Sequence, residues 1–250
     1  MDRIPVGVQL YSVREQCEKD LPGTLQAIAD MGYEGVEFAG YYGRSADELR
    51  DMLDELRLEV CGTHIGLDTL VGDELQETIE FNRTLGNQFL IVPGLPEERR
   101  NSADAWRETA DIFNGISEKV RPEGMWVGYH NHAIEFEPMD GELPWDIFFG
   151  NTVEDVVMQL DTGNALHGGG DPVPYVERYP ARALTVHLKE YSTSVDSALI
   201  GEGDVEWERL FNLCERIGGT QWYIVEQESY RYPPLDCIAY CLDNLEEMGK

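Results

Sequence analysis

Short apolar runs alternate with segments of helical periodicity along the whole of this chain. Each run is five to seven residues long, which is typical of parallel strands buried on both faces. The predicted strands span residues 6–10, 34–38, 58–64, 88–92, 125–131, 156–161, 183–188 and 222–226. The predicted helices span residues 21–31, 45–56, 72–85, 102–119, 143–150, 172–179, 204–217 and 234–248. Eight strands alternating with eight helices predict an α/β fold, a closed (β/α)8 TIM barrel.

Several helix boundaries carry their own signals. Gly32 and Gly86 lie where helices should end, and Ser45 with Glu48 three positions later forms a capping box at a helix start. No linker, low-complexity tract or composition shift divides the sequence, so we expect one domain over residues 1–250. The longest irregular stretch late in the chain, residues 192–203, predicts a mobile loop over a site.

Four consecutive apolar runs in the second half each end in a residue type that binds metal. These residues are His130, Asp161, His187 and Glu226. The carboxyl ends of barrel strands converge on one mouth, where TIM barrels build their active sites. One such residue alone is usually structural, whereas four in succession predict a shared site for one divalent ion. Mixed imidazole and carboxylate ligation suits manganese, cobalt, zinc, iron or magnesium better than thiolate-loving metals.

Side-chain alternation along a strand indicates which neighbours share a face with these residues. The sets of equal parity are Gly128, His130 and His132; Gln159 and Asp161; Thr185, His187 and Lys189; and Ile224, Glu226 and Glu228. Small or apolar members are expected to fill the barrel interior. The polar members then project together at its upper mouth.

The composition narrows the classes of partner. Asp and Glu total 48 against 19 Lys and Arg, a net charge of −29. A dispersed carboxylate surface with few lysines resembles halophilic proteins, in which counterions screen the self-repulsion. It disfavours a nucleic-acid partner, which needs a basic face. No apolar stretch approaches the ~20 residues of a membrane span, and the start has no signal-peptide core. We therefore expect no membrane partner and a cytoplasmic location.

The cysteines point to reduced thiols. There are five, an odd number, and no CxxC pair is present. Cys237 and Cys241 lie one helical turn apart, and we expect them to face the core.

Six motifs spread along the chain carry a resemblance to a known family. They are GVQLYSVR at 7–14, GVE at 35–37, YHNH at 129–132, LDTGN at 160–164, VHLK at 186–189 and GEGDV at 201–205. Together they resemble the xylose isomerase-like TIM-barrel superfamily, often labelled sugar phosphate isomerase/epimerase, over essentially the whole chain. The resemblance implies one divalent ion held by Glu, Asp, His and Glu from strands five to eight. Asp161, His187 and Glu226 match the last three, whereas His130 stands where the family's epimerases place a catalytic glutamate.

Because of this departure, the sequence does not decide which residue near the end of strand five binds the metal and which transfers the proton. The ligand and the proton-transfer group there are to be found among His130, His132, Glu135 and Glu137. We take His130 as the ligand and His132 as a catalytic residue, and a symmetric two-glutamate epimerisation is in doubt.

The leading prediction is a divalent-metal-dependent isomerase or epimerase that acts on a small sugar or keto-sugar through an enediolate. Glu226 or His132 would remove the α-proton. Lys189 would stabilise the developing oxyanion, and its alternative role is a strand-end salt bridge with Glu190. Residues at other strand ends are expected to bind sugar hydroxyls: Gln9, Glu37, His64, Glu135 and Asn164.

Three alternatives accompany this prediction. A lyase that dehydrates a keto-inositol or 3-keto sugar is the close runner-up, because the same enediolate can lose water. An endonuclease IV-like nuclease shares this barrel but needs more than the five histidines present and a basic face. A non-catalytic sugar-binding barrel would have lost the ligands that this chain retains. A homo-oligomer is compatible with all of these classes.

Overall fold

Eight parallel strands close into one barrel, in which each strand pairs with the next and the last pairs with the first. The computed structural model describes residues 3–250. Met1 and Asp2, the first residues of the segment predicted to lack a signal-peptide core, lie outside the described residues. The strands are β1 Val6–Gln9, β2 Gly35–Ala39, β3 Glu59–His64, β4 Phe89–Val92, β5 Trp126–His130, β6 Val157–Asp161, β7 Thr185–Leu188 and β8 Trp222–Val225. The predicted TIM barrel is confirmed.

Ten α-helices surround the barrel in the described part of the chain. They are α1 Arg14–Lys19, α2 Leu21–Met31, α3 Ala46–Leu56, α4 Glu74–Leu85, α5 Ala103–Val120, α6 Pro144–Asn151, α7 Thr162–His167, α8 Val173–Arg178, α9 Trp207–Leu213 and α10 Pro234–Glu247. Two of these, α1 and α7, were not predicted, because each directly follows a strand or turn at the mouth and is only six residues long.

The predicted helix boundary signals act as expected. Gly32 and Gly86 end α2 and α4 with φ values of 104° and 83°, a left-handed conformation that favours glycine. The backbone N–H of Glu48 donates to Ser45 Oγ at 3.3 Å, and the Ser45 N–H donates to the Glu48 carboxylate at 2.9 Å. This reciprocal pair caps α3.

The lumen of the barrel is closed from below by apolar side chains. Phe89, Ile91 and Val157 form a small cluster that is separate from the main core between the sheet and the helices. Trp126 and Trp222 pack against this cluster. Bulky residues therefore fill the lower lumen, and polar side chains can be positioned only above them.

The segment 192–203, predicted as a mobile loop, is anchored at its far end by the buried carboxylate of Glu190. This carboxylate accepts hydrogen bonds from Gly201 N at 2.8 Å, Val205 N at 3.3 Å and the Trp207 indole at 2.8 Å. These bonds hold the backbone out of helical geometry. They explain why α9 begins at Trp207, three residues later than predicted.

All five cysteines are free and buried, including the pair on α10 that was predicted to face the core. Among the described helices, none combines the length and the apolar character needed to cross a membrane.

Candidate metal centre

The ends of β5 to β8 bring the four predicted ligands together at the top of the lumen. One ligand atom from each of His130, Asp161, His187 and Glu226 lies within 4.8 Å of the others, and all four residues are buried. Asp161 and His187 are register partners on adjacent strands. The cluster therefore follows directly from strand order and register.

Asp161 offers one unused oxygen to this cluster. Its Oδ1 accepts from Asn164 N at 2.6 Å, and its backbone exchanges two hydrogen bonds with the Asn131 side chain at 2.8 and 3.0 Å. Its Oδ2 is buried and has no hydrogen-bond partner among the described residues. A buried carboxylate oxygen without a donor is costly. A cation bound at this oxygen would remove that cost.

His187 lies between carboxylates on both sides. Its Nε2 is 2.5 Å from Glu37 Oε2, its Nδ1 contacts Glu226 Oε2, and Nδ1 is 3.9 Å from Asp161 Oδ2. Burial alone would lower the pKa of His187, but Glu37 and Glu226 outweigh it and raise the pKa to about 10. The metal-free imidazole is therefore a cation. A divalent ion on the Nδ1 side would replace one proton and leave Nε2–H donating to Glu37, an arrangement typical of metal-ligating histidines.

The two ligand carboxylates titrate far apart. Burial raises the pKa of Asp161 to about 7, and nearby Lys189 only partly opposes this. Burial acts in the same direction on Glu226, but Lys189 and His187 reverse it and hold its pKa well below the usual range. A divalent ion that replaces the His187 proton would face three carboxylates, those of Glu37, Asp161 and Glu226. Its two positive charges would offset two of their three negative charges.

His130 completes the cluster from β5. Burial lowers the pKa of His130 well below its usual value, and His187 and His64 add to this effect. Its Nδ1 lies 3.1 Å from Gln159 Oε1. A neutral imidazole is the form that binds a metal, so two imidazoles and two carboxylates fit an ion of intermediate hardness.

Lys189 lies beside this cluster rather than in it. Its Nζ pairs with Glu228 and lies 3.8 Å from Glu226 Oε1. Burial alone would lower the pKa of Lys189, but Glu226, Asp161 and Glu228 raise it, so the ammonium stays charged. The alternative salt bridge with Glu190 is wrong, because that carboxylate holds the 201–207 segment instead.

His132 is exposed at the mouth, next to the cluster. Its ring centroid is 5.2 Å from that of His130. The buried carboxylate of Glu135 accepts from His132 N at 2.8 Å and from the Tyr129 hydroxyl at 2.6 Å. Both oxygens of Glu135 are therefore engaged with the protein, whereas the His132 imidazole faces outward. Glu137, the remaining strand-five alternative, is exposed and does not belong to the cluster.

Most residues expected to bind sugar hydroxyls are occupied by the protein itself. Gln9 is fully buried and bridges Glu37 Oε2 at 2.7 Å and Tyr11 N at 3.0 Å. Glu37 is also fully buried and accepts from Gln9, Gln159 and His187. Asn164 supports Asp161 through its backbone. His64, whose side chain is 10% exposed, lies beside His130 and His187, and its Nε2 is 3.2 Å from Glu37 Oε2.

Three residues of the site had been given no role from the sequence. Gln159 connects Glu37 to both His130 and His64, Asn131 holds the end of β6, and Glu228 binds Lys189. Gln159 and Glu228 do share strand parity with Asp161 and Glu226, which was the signal available in the sequence. For Asn131 the sequence contained no such signal apart from its position between two histidines.

The chain belongs to the xylose isomerase-like TIM barrel family, whose model matches residues 25–247. Proteins named inosose dehydratase are similar to it: that of Erwinia tasmaniensis is 26% identical and that of Geobacillus kaustophilus 25%, each match covering 84% of this chain and 83% of the relative. A solved sugar phosphate isomerase/epimerase from Parabacteroides distasonis superposes with a TM-score of 0.86 at 24% identity, covering 98% of this chain and 94% of that one. The resemblance seen in the motifs is thereby confirmed, and the structural match supports the fold.

Proposed function

We propose that this chain is a divalent-metal-dependent enzyme that removes an α-proton from a small polyhydroxylated ketone, and that loss of water from the resulting enediolate completes the reaction. The observation that carries the proposal is the buried, partnerless Oδ2 of Asp161 within the four-residue cluster. Imidazole and carboxylate groups from four consecutive strands support a catalytic site better than a passive sugar-binding one.

The candidate ligands are His130, Asp161, His187 and Glu226. A bound divalent ion would supply Lewis acidity to the substrate carbonyl and a neighbouring hydroxyl. The ligands hold fixed positions because the strand ends are buried and hydrogen-bonded. Such preorganisation is what electrostatic catalysis requires.

His132 is the stronger candidate for the base. Glu226 contacts His187 and lies near Lys189, and its low pKa makes it a weak proton acceptor. The His132 imidazole is exposed at the mouth, and its backbone is held by Glu135. Imidazole is the usual general base near neutral pH. In this proposal His132 therefore removes the α-proton, and Glu226 remains a metal ligand.

Lys189 supplies positive charge where negative charge develops. As the C–H bond breaks, its electron pair forms a C=C bond and the π pair of the carbonyl moves onto the carbonyl oxygen. The permanently charged ammonium stabilises that oxyanion. In the second step the carbonyl re-forms, a C=C bond forms between the α- and β-carbons, and the β C–O bond breaks. The leaving hydroxide takes the proton that His132 removed and departs as water.

The charges at the mouth favour a neutral substrate. Lys189 is already paired with Glu228, and the Arg14 guanidinium donates to Tyr11 O at 2.9 Å and to the Tyr230 hydroxyl at 3.3 Å. The chain as a whole carries −29. This negative field disfavours a phosphorylated substrate. We therefore propose an unphosphorylated keto-polyol.

Dehydration is favoured over isomerisation for two reasons. The similar proteins of Erwinia and Geobacillus are named inosose dehydratase, and an imidazole occupies the place of one glutamate of a symmetric epimerase. Isomerisation or epimerisation is the second candidate. It would use the same enediolate, with a proton returned to carbon instead of water being lost.

One experiment tests the proposal and its alternative. The protein is purified in high salt, its metal content is measured, and it is mixed with keto-inositols and keto-sugars in D2O. Loss of water supports dehydration, whereas deuterium at the α-carbon without loss of water supports isomerisation or epimerisation. Asp161→Ala and Glu226→Ala should lose the metal. Unchanged metal content in both variants would refute the site.

A further inference from the structure

Below the candidate ligands lies a fully buried pair of polar side chains, Glu37 on β2 and Gln159 on β6. Gln159 Nε2 donates to Glu37 Oε1 at 2.7 Å and to Thr185 Oγ1 at 3.0 Å. Neither residue has exposed surface. Burying an amide beside a carboxylate in a barrel lumen is tolerated only when every polar atom finds a partner.

Glu37 determines which way the amide of Gln159 points. Glu37 Oε2 accepts from Gln9 Nε2 at 2.7 Å and lies 2.5 Å from His187 Nε2 and 3.2 Å from His64 Nε2, so the carboxyl is surrounded by donors and acts as an acceptor. The amide must therefore turn its NH2 towards Glu37. Its oxygen then faces His130 Nδ1 at 3.1 Å and His64 Nε2 at 2.7 Å.

An amide oxygen accepts hydrogen bonds and never donates them. The nitrogens facing it must therefore carry the protons, which places one on His130 Nδ1 and leaves its Nε2 lone pair free. On the other side of the pair, Glu37 Oε2 accepts from His187 Nε2 at 2.5 Å, which reserves His187 Nδ1 for the cluster.

We infer that the Glu37–Gln159 pair sets the tautomers of both imidazole ligands, His130 and His187, so that one lone pair from each is directed to the metal. Gln159 is a positioning residue in this arrangement, because it acts through the histidines. The inference rests on the metal centre proposed above. It concerns where the protons are, which can be measured without any metal or substrate.

The first test is the tautomer itself in the full-length, metal-free protein. Long-range ¹H–¹⁵N spectra of the five histidines distinguish Nδ1–H from Nε2–H forms, and a His130→Gln variant assigns the signal. We expect His130 as the Nδ1–H form. A His130 that carries its proton on Nε2 would overturn the inference whether or not the protein binds metal.

The second test is metal affinity, measured by zinc and manganese titration against a chelator. Gln159→Met removes the acceptor at nearly equal volume and should weaken binding by about 10- to 100-fold, the cost of losing an outer partner of a ligand. Thr185→Val is the matched control. It removes a partner from the donor side of the same amide and should stay within about threefold of the parent, well below that cost. Equal affinities of Gln159→Met and the parent would contradict the inference.

A reciprocal exchange separates proton placement from simple packing. Glu37→Gln alone places two amides face to face, so Gln159 can turn over and reverse the His130 tautomer. Gln159→Glu alone places two carboxylates together. The double variant Glu37→Gln/Gln159→Glu restores a donor–acceptor pair, with the new carboxylate accepting from both histidines.

We expect the double variant to recover the Nδ1–H signal of His130 and most of the metal affinity lost in each single variant. If the double variant is no better than the singles, although it is folded by near-UV circular dichroism, the pair does not act through proton placement.

The failures of the two proposals remain distinguishable. A parent protein that binds no metal but shows the Nδ1–H form of His130 would refute the metal centre and keep this inference. A parent that binds metal with the opposite tautomer would do the reverse.

Discussion

The two halves of the barrel contribute to the mouth in different ways. The second half, β5 to β8, supplies the candidate ligands and, beside them, His132 and Lys189. The first half, β1 to β3, supplies Gln9, Glu37 and His64, whose polar atoms mostly bind the protein. Glu37 and His187 are 150 residues apart in sequence, yet their side chains meet across the lumen at 2.5 Å. The candidate ligands thus come from one half of the barrel, and part of their support, Glu37 with Gln9 behind it, comes from the other.

The consequence is a layered site. Charged groups that would repel one another in isolation are compensated in pairs, and the first-half residues complete those pairs. Removal of a candidate ligand should therefore weaken metal binding more than removal of a supporting residue does.

Loss of a second-half ligand should have the largest effect. Asp161→Asn replaces the partnerless oxygen with an amide NH2, which repels a cation. Metal affinity should fall by more than the roughly 100-fold that losing an outer partner costs, and turnover should disappear with it. Atomic absorption after gel filtration checks the first effect. The control is Asp146→Asn, in the exposed pair with Arg178, which should change neither quantity.

Lys189 lies on the same half but is not a ligand, so its loss should separate catalysis from metal binding. Lys189→Met should lower kcat by about 100- to 1,000-fold, the scale of losing one oxyanion-stabilising group. Metal affinity should hold or rise, because a competing cation has left. Parallel steady-state kinetics and metal titration measure the two. Retained turnover in this variant would remove Lys189 from the catalytic machinery.

Metal binding should release protons to an extent that depends on pH. Below about pH 10 the metal-free His187 holds a proton that the metal must displace, and below about pH 7 Asp161 holds a second one. Affinity should therefore rise roughly tenfold per pH unit between about pH 7 and pH 10 and more steeply below pH 7. Calorimetry in two buffers of different ionisation heat counts the protons. A pH-independent affinity would show that His187 is already neutral in the metal-free protein.

The raised pKa of His187 also affects the stability of the metal-free protein. The pKa of His187 is raised on folding, so its stabilising contribution is complete below its ordinary value of 6.5 and is lost as the pH rises through about 10. The free energy of unfolding from this group should fall across that window. Saturation with metal should reduce the fall, because the ion takes over the role of the proton.

A first-half support that is two contacts from the metal should have a small effect. Gln9→Met removes a donor to Glu37 but leaves the bonds of Glu37 to His187 and Gln159. We expect metal affinity to fall by less than about tenfold, the lower limit for a direct outer partner. A loss as large as that of Asp161→Asn would erase the distinction between the two halves.

The smallest effect on the site should come from the acidic surface, which surrounds both halves alike. Raising KCl from low to molar concentration should raise Tm by screening the net charge of −29. The buried cluster is paired internally, so its metal affinity should change much less than Tm does. Scanning calorimetry across a salt series provides the measurement, and full stability without salt would refute the halophilic interpretation.

Much of the fold could be predicted because its signals are local. Each strand is one apolar run, Gly32 and Gly86 end helices by their own φ angles, and Ser45 caps a helix through Glu48, three residues away. The short helix α7 escaped prediction because Asp161 serves at once as strand end and N-cap. The late start of α9 depends on Glu190, whose partners are up to 17 residues away.

The sequence alone determined the barrel and the four residues that meet at its mouth. Periodicity, side-chain alternation and residue type were enough for this, because they are properties of neighbouring residues. Only the tertiary structure decided what the first-half residues do. Glu37 and Gln9 were expected to face a substrate, but closure of the barrel places them beneath His187, where burial makes each polar atom seek a protein partner. Such contacts cross the lumen between residues distant in sequence, and no local pattern records them.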